Sequence, residues 1–258
     1  MLIACKNASL GYEGRAVVKA LNFSVESGDY LWVVGENGSG KTTLIMGLLR
    51  LLNPLEGNIV FCDELARGSI GYLSQQSELK KDFPAGVLEV VLSGNLSSMG
   101  LRPFYNAREK KRAEEAMERL GIKELRKKCY RELSGGQQRR VLLARAFCAA
   151  QVEPSGKQGQ AADFSRRLLV LDEPAAGLDP LITVEVYELL KKLNRETGVS
   201  IVMVSHDIRG AEQYAKHILH MENGRGFFAE TADYLKSDQG KKFLGLGRGE
   251  EKWLPIFS

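Results

Sequence analysis

An apolar run, Tyr30-Leu31-Trp32-Val33-Val34, stops at Gly35, and the residues that follow fit Gly-x4-Gly-Lys-[Ser/Thr] in every fixed position: Gly35-Glu36-Asn37-Gly38-Ser39-Gly40-Lys41-Thr42. The run suits a strand buried on both faces. Thr42 to Leu52 then has helical character, with Leu44, Leu48, Leu49 and Leu52 available for packing. Strand, glycine loop and helix, in that order, let backbone N–H groups converge on phosphate oxygens. A chain of this length would match the pattern by chance roughly once in a hundred. Lys41 offers a point charge toward β- and γ-phosphates and the Thr42 hydroxyl a ligand for Mg²⁺, with Thr43 beside them. The expectation is an α/β fold built around a nucleotide-phosphate site.

Two further buried-strand patterns end in polar residues. Arg167-Leu168-Leu169-Val170-Leu171 runs into Asp172-Glu173, and Val199-Ser200-Ile201-Val202-Met203-Val204 runs into Ser205-His206-Asp207. In an open parallel sheet ligands sit beyond the carboxyl ends of strands, so these groups should share a crevice with the glycine loop. Asp172 is then a Mg²⁺ ligand and Glu173 the base that orients and deprotonates water. Gln75, after Ile70-Gly71-Tyr72-Leu73-Ser74, stands at another strand end with a neutral amide oxygen for the metal. Tyr12 precedes the strand-like Leu21–Val25; an aromatic there could stack on a base, although a single tyrosine near an N-terminus is ordinarily packing.

Leu133-Ser134-Gly135-Gly136-Gln137 precedes a run of helix formers to Ala150. By itself it reads as an N-capped helix with an anion-attracting start. Together with the loop and strand ends above, the chain resembles the ATP-binding cassette family over almost its full length. The resemblance implies a P-loop NTPase (RecA-like) core with an N-terminal antiparallel β portion and an inserted helical subdomain. It makes Tyr12 the adenine-stacking aromatic and Gly35–Thr42 the P-loop. Gln75 becomes the Q-loop glutamine, Leu133–Gln137 the signature, Gly177-Leu178-Asp179 the D-loop and His206 the switch histidine. In that family the signature caps ATP held by a second cassette. Ser134, Gly135, Gly136, Gln137 and Asp179 are therefore expected at a neighbour's nucleotide, and a homodimer is the simplest complete unit.

The 258 residues suffice for one elaborated α/β domain. The expected layout is a core at about 1–75 and 165–225, a helical subdomain at about 76–150 and a C-terminal extension at 226–258. In the insert, Ala113, Ala116, Met117 and Leu120 fall at helical spacing and Gly121 closes the helix. Residues 102–131 carry eleven Lys/Arg against five Asp/Glu, beside a whole-chain net charge of +4. This reads as a solvated helical face, with anionic lipid headgroups as the alternative. No nucleic-acid motif appears, and basic residues are not interleaved with aromatics. No apolar run approaches the ~18 residues that span a bilayer, and no secretory signal opens the chain. Cys5, Cys62, Cys129 and Cys148 are scattered, which suits reduced thiols and not a zinc site; His217 and His220 read as structural.

The family usually has only a short connection after the signature helix, whereas residues 151–167 here add a polar stretch of loop composition, expected on the surface. Gln75-Gln76 through Gly94, with Phe83-Pro84, Val87 and Glu89-Val90-Val91, looks like cassettes of the zinc/manganese importer type, although Ser74 replaces the proline common before the Q-loop glutamine. The resemblance thus implies an ATPase subunit at the cytoplasmic face of the membrane, with a separate permease and an extracytoplasmic solute-binding protein. The alternatives are a cassette for another small solute such as an iron chelate, or a soluble cassette acting in translation or DNA repair.

Overall fold

The computed structural model of the chain describes residues 1–66, 70–75, 84–99, 101–151 and 166–244. The zinc/manganese-type character at 76–83, most of the polar stretch 152–165 and the end of the C-terminal extension lie outside them.

In chain order the elements are β1 (Ile3–Tyr12), β2 (Arg15–Val25), β3 (Tyr30–Gly35), α1 (Lys41–Leu48), β4 (Glu56–Phe61), α2 (Asp63–Ala66), β5 (Ile70–Leu73), α3 (Val87–Leu92), α4 (Leu96–Met99), α5 (Ala107–Arg119), α6 (Gly135–Ala150), β6 (Leu168–Asp172), α7 (Pro180–Thr197), β7 (Ser200–Val204), α8 (Ile208–Tyr214), β8 (His217–Glu222), β9 (Arg225–Glu230), α9 (Thr231–Lys236) and α10 (Asp238–Phe243). Among the described residues β1, β2 and β4 form an antiparallel sheet in the order β2-β1-β4. The other sheet runs β5-β6-β7-β3-β8-β9, parallel except for the β8–β9 pair.

The apolar runs of β3, β6 and β7 are buried on both faces, as unbroken hydrophobicity requires of central parallel strands. Alternation divides them between two cores. Trp32, Val34, Leu169, Leu171, Ile201 and Met203 pack with α3, α5, α6 and α7. Leu31, Val33, Leu168, Val170, Val202 and Val204 pack with α1 and the antiparallel sheet. Full burial of each such side chain stabilises the fold by ~1.5–3 kcal/mol, so a one-residue slip of β3 would turn both cores inside out.

The insert is tied at its neck, where Val87 N donates to Lys128 O (3.0 Å) and Tyr130 N to Ala85 O (2.9 Å). On α5 the residues Ala113, Ala116 and Met117 are buried, Leu120 is buried at its C-cap, and Gly121 has φ +64. α6 leaves the insert and lies directly on β5. A Cβ on Gly71 would stand 2.0 Å from Ala146 O, so only glycine admits this approach. Basic residues of the insert pair on the surface, Arg126 with Glu114 (3.3 Å) and Lys123 with Glu118 (3.3 Å) among them. Among the described residues no helix is long and apolar enough to cross a membrane.

Three boundaries differ from the sequence expectation. α1 ends at Leu48, not Leu52: Leu51 N and Leu52 N both return to Met46 O, and Arg50 takes φ +60, a helix-terminating turn. The sheet runs past residue 225 into β9, which pairs with β8 along its whole length. The ends of the polar stretch are buried, not exposed. Gln151 closes α6, and Arg167 O accepts from Ser200 N (3.0 Å) where the β6–β7 ladder begins.

Candidate functional site

β3 delivers the chain to the glycine loop with little room to spare. Gly35 has φ +146, and a Cβ there would meet Met221 O at 2.2 Å, because β8 runs alongside. The loop turns at Gly38 and Gly40, and α1 starts from Gly40 (φ +102) with no side-chain cap and no acid in its first turn. Asn106, Ser134 and Asp179 cap α5, α6 and α7, so among the described helices of eight residues or more only α1 is left uncapped. Its first N–H groups and its positive dipole end are therefore available to an anion. Ser39 is buried and its Oγ has no hydrogen-bond partner, a further donor inside the loop. Glu36, Asn37 and Gly38 are exposed at the loop tip. Lys41 Nζ donates to Gly35 O (2.7 Å) and Glu36 O (2.8 Å), holding a cation over the same loop.

A cleft of about 230 Å³ opens on this loop. Asn37, Gly38, Gly40, Lys41, Thr42 and Thr43 line one side, and Gln75, Asp172 and Glu173 come from the ends of β5 and β6. Thr42, Gln75 and Asp172 present hydroxyl, amide and carboxylate oxygens, the hard donor set that suits Mg²⁺. Burial, then the neighbouring Glu173 carboxylate, raises the Asp172 pKa, against the pull of Lys41 and Arg139. Burial lowers the Lys41 pKa, opposed by Glu173 and Asp172.

Glu173 has φ +48, an unusual conformation for a residue with a side chain. Its N–H donates to Val204 O (2.8 Å), which fixes the end of β6 to the end of β7. From beyond that strand His206 donates through Nδ1 to Glu173 Oε1 at 3.0 Å, with the His206 side chain 80% exposed and that of Glu173 12%. One carboxylate is thus oriented at the cleft wall by an imidazole that solvent reaches.

The remaining expected residues lie elsewhere. Ser134 Oγ accepts from Gln137 N (3.3 Å), and Gln137 Oε1 accepts from Ser134 N (3.2 Å), a reciprocal cap. Gly135 and Gly136 face Leu178 and Ile182, and Asp179 Oδ1 accepts from Ile182 N (3.0 Å). None of Ser134, Gly135, Gly136, Gln137 or Asp179 lines the cleft of its own chain. Tyr12 is 51% exposed at the tip of the β1–β2 hairpin and does not line it either, whereas Val17 on β2 does. His220 is buried with its Nδ1 3.0 Å from Tyr234 Oη, and His217 lies 3.4 Å from Asp29, away from the cleft. Sequence reasoning missed Arg139, a buried guanidinium of α6 that donates to the carbonyls of both Glu173 and Pro174.

The ABC transporter family model matches residues 18–152, which is half of the chain. The chain belongs to the ABC transporter family. As an ATP-binding cassette it is an ATPase that binds ATP; an AAA-domain model also matches, over residues 116–209. A metal transport system ATP-binding protein of Chlamydia pneumoniae, named as probable, is 32% identical over 86% of each chain. The manganese transport system ATP-binding protein MntB of Bacillus subtilis is 31% identical over 93% of this chain and 90% of its own. Among solved structures, cbiO1 of Clostridium perfringens, part of the ABC transporter complex cbiONQ, superposes with TM-score 0.74 at 26% identity, over 95% of both chains. The ATP-binding cassette MJ0796, dimeric and bound to ADP and Pi, superposes with TM-score 0.67 at 25% identity, over 89% of this cassette and 99% of its own.

The raised Asp172 pKa has a consequence for stability. The folded cassette binds this proton more tightly than the unfolded chain, so stability falls as pH rises from the ordinary carboxyl range through the raised value, and stays lower above it. Asp172→Asn removes an ionised group the fold must accommodate. Without nucleotide, the variant's melting temperature at neutral pH should rise by a few degrees, and the gain should vanish as pH falls through the carboxyl range. Differential scanning fluorimetry across pH checks this; an unchanged or lower midpoint at neutral pH would show that Asp172 is not held against its charge.

Proposed function

We propose that this cassette is the ATP-hydrolysing subunit of an importer of a divalent metal of the zinc/manganese type. It works at the cytoplasmic face of the membrane as a homodimer on a separate permease, with an extracytoplasmic solute-binding protein in the same system. The observation that carries the substrate class is the set of relatives named for zinc and manganese transport, about 30% identical over 85–93% of this chain.

In this reading the glycine loop, the Ser39 hydroxyl, the α1 start and Lys41 cradle the β- and γ-phosphates, and the exposed ring of Tyr12 is free to stack on adenine. Mg²⁺, held by Thr42, Asp172 and Gln75, would neutralise charge developing on the transferred phosphoryl group. Glu173 takes the proton of the attacking water, and His206 keeps that carboxylate aimed through its Nδ1–H. Ser134–Gln137 and Asp179, set apart from their own cleft, close on the nucleotide of the second copy. A second cleft of about 290 Å³ lies between β5, α4 and α6, lined by Tyr72, Ser74, Leu96, Arg145 and Ala149. Ser74, the residue before Gln75, lines it, and Leu96 on its lining is 57% exposed, which suits an apolar permease segment.

Cells lacking the chain should accumulate less zinc or manganese. Wild type should restore uptake and co-purify with a polytopic membrane protein, and Leu96→Glu should lose both. Normal zinc and manganese uptake with loss of an iron chelate would reassign the substrate. Absence of any membrane partner would place the chain among soluble cassettes.

A further inference from the structure

Arg139 is 7% exposed, and an arginine is almost never that buried without partners. Its fork is directed at main chain: Nε donates to Pro174 O and Nη2 to Glu173 O. Two consecutive carbonyls are thereby gripped from one rigid side chain, a task suited to the fixed geometry of guanidinium donors. The gripped residue has φ +48, a conformation that costs energy and persists only where its surroundings impose it. Its main chain is held at three points among the described residues: Val204 O accepts the Glu173 N–H, and Ala176 N (3.1 Å) and Arg139 donate to the Glu173 carbonyl, while His206 holds only the side chain.

Arg139 also stands five residues after Ser134 on α6, ~7.5 Å along the axis from the helix start. Most of α6 between Gln138 and Ala150 is buried, so displacement of its first turn moves Arg139 with it. Gly136 lies against Ile182 of α7 with about 3.0 Å for a Cβ, so that first turn is in close contact with the segment following Glu173 as well.

We propose that Arg139 is a positioning residue through which the signature end of α6 sets the carboxylate of Glu173, so that each chain's own hydrolytic centre responds to the engagement of its signature by a second copy's nucleotide. The proposal rests on the reading of Glu173 as the base. Among the described residues Tyr130, Asp172 and Glu173 are the titratable groups facing the guanidinium; burial lowers the Arg139 pKa and these neighbours oppose the shift.

The test uses the full chain with Arg139→Gln, Arg139→Lys, Glu173→Gln and Ser134→Ala, singly and in pairs. Arg139→Gln should lower kcat between about 10-fold and 100-fold, the range for a misplaced catalytic group, with KM for ATP within about 2-fold. An ATP-loaded dimer should accumulate on gel filtration, and Arg139→Lys should recover part of the rate. Adding Arg139→Gln to Glu173→Gln should cost little more, and Ser134→Ala should cost less in the Arg139→Gln background than alone. Near wild-type turnover of both Arg139 variants overturns the proposal. So do multiplicative losses in the pairs, or a loss expressed as weaker ATP binding and no dimer, which would make Arg139 merely structural. A slow Glu173→Gln beside normal Arg139 variants overturns the role of Arg139 alone; a fast Glu173→Gln removes the base reading first, and this proposal with it.

Discussion

Glu173→Gln should bind ATP like the wild-type cassette, dimerise on it and then hydrolyse it ~10²–10⁴-fold more slowly, the usual worth of a positioned acid–base group. The substitution is nearly isosteric, and the contacts that define the residue survive it. A glutamine Oε1 still accepts from His206 Nδ1, the backbone N–H still reaches Val204 O, and the carbonyl still accepts from Arg139. What is lost is the ability to take a proton. One negative charge also leaves a cleft that must receive a polyphosphate, so affinity for ATP should hold or improve slightly. Because the signature residues close on the second copy's nucleotide in this reading, ATP that is not hydrolysed should keep the two copies together, and gel filtration with ATP should show a persistent dimer that ADP does not support. Single-turnover measurements separate chemistry from release. Turnover near the wild-type rate would remove Glu173 from the role of base and leave its bond to His206 without a catalytic purpose.

What could be read from the chain and what could not divides along physical lines. Groups placed by strand ends were legible: Gln75, Asp172 and Glu173 reach one cleft because β5, β6, β7 and β3 are successive parallel strands of one sheet, and apolar runs announce such strands. His206 was found by the same rule, and its bond to Glu173 follows from β6 and β7 being adjacent. The glycine loop placed the start of α1, while its lack of a side-chain cap is seen in the structure. Arg139 was not legible, because its acceptors are carbonyls and a carbonyl carries no sequence signal; in the run Gln137-Gln138-Arg139-Arg140 it passes for a helix former. The signal that could have found it is burial: α6 is buried on nearly every side, so a cation inside its pattern needs partners. Val17 was missed because its contact with the loop depends on β2 folding back over Gly40, a packing of separate sheets. The end of α1 was overrun because leucines at helical spacing continue past Leu48, while the turn at Arg50 is set by backbone bonds to Met46.

Lys41→Ala should abolish productive ATP binding. Among the described residues that line the cleft Lys41 is the single cation, facing the two carboxylates Asp172 and Glu173. Removing it leaves both acids unopposed by any lining cation exactly where a polyanion must enter. A charge–charge contact of this kind in a partly solvated site is worth on the order of 2–4 kcal/mol, so affinity should fall by ~30-fold to 1,000-fold. The fold should survive, because Glu36 is at an exposed loop tip and water can replace the ammonium at the two carbonyls it serves. The Lys41 pKa is lowered by burial even with Glu173 and Asp172 opposing, so the fold carries this ammonium at a cost, and the variant without nucleotide should be no less stable than wild type at neutral pH. Lys41→Arg keeps the charge but replaces a compact ammonium with a planar fork on a longer stem, and should recover affinity only in part. Titration with a fluorescent ATP analogue, beside melting curves with and without ATP, measures both effects. Unchanged nucleotide affinity in Lys41→Ala would sink the phosphate-loop reading. Weak binding with intact folding would place the ammonium on the phosphates and leave the dimer, the signature contact and the work on the permease all downstream of that one charge.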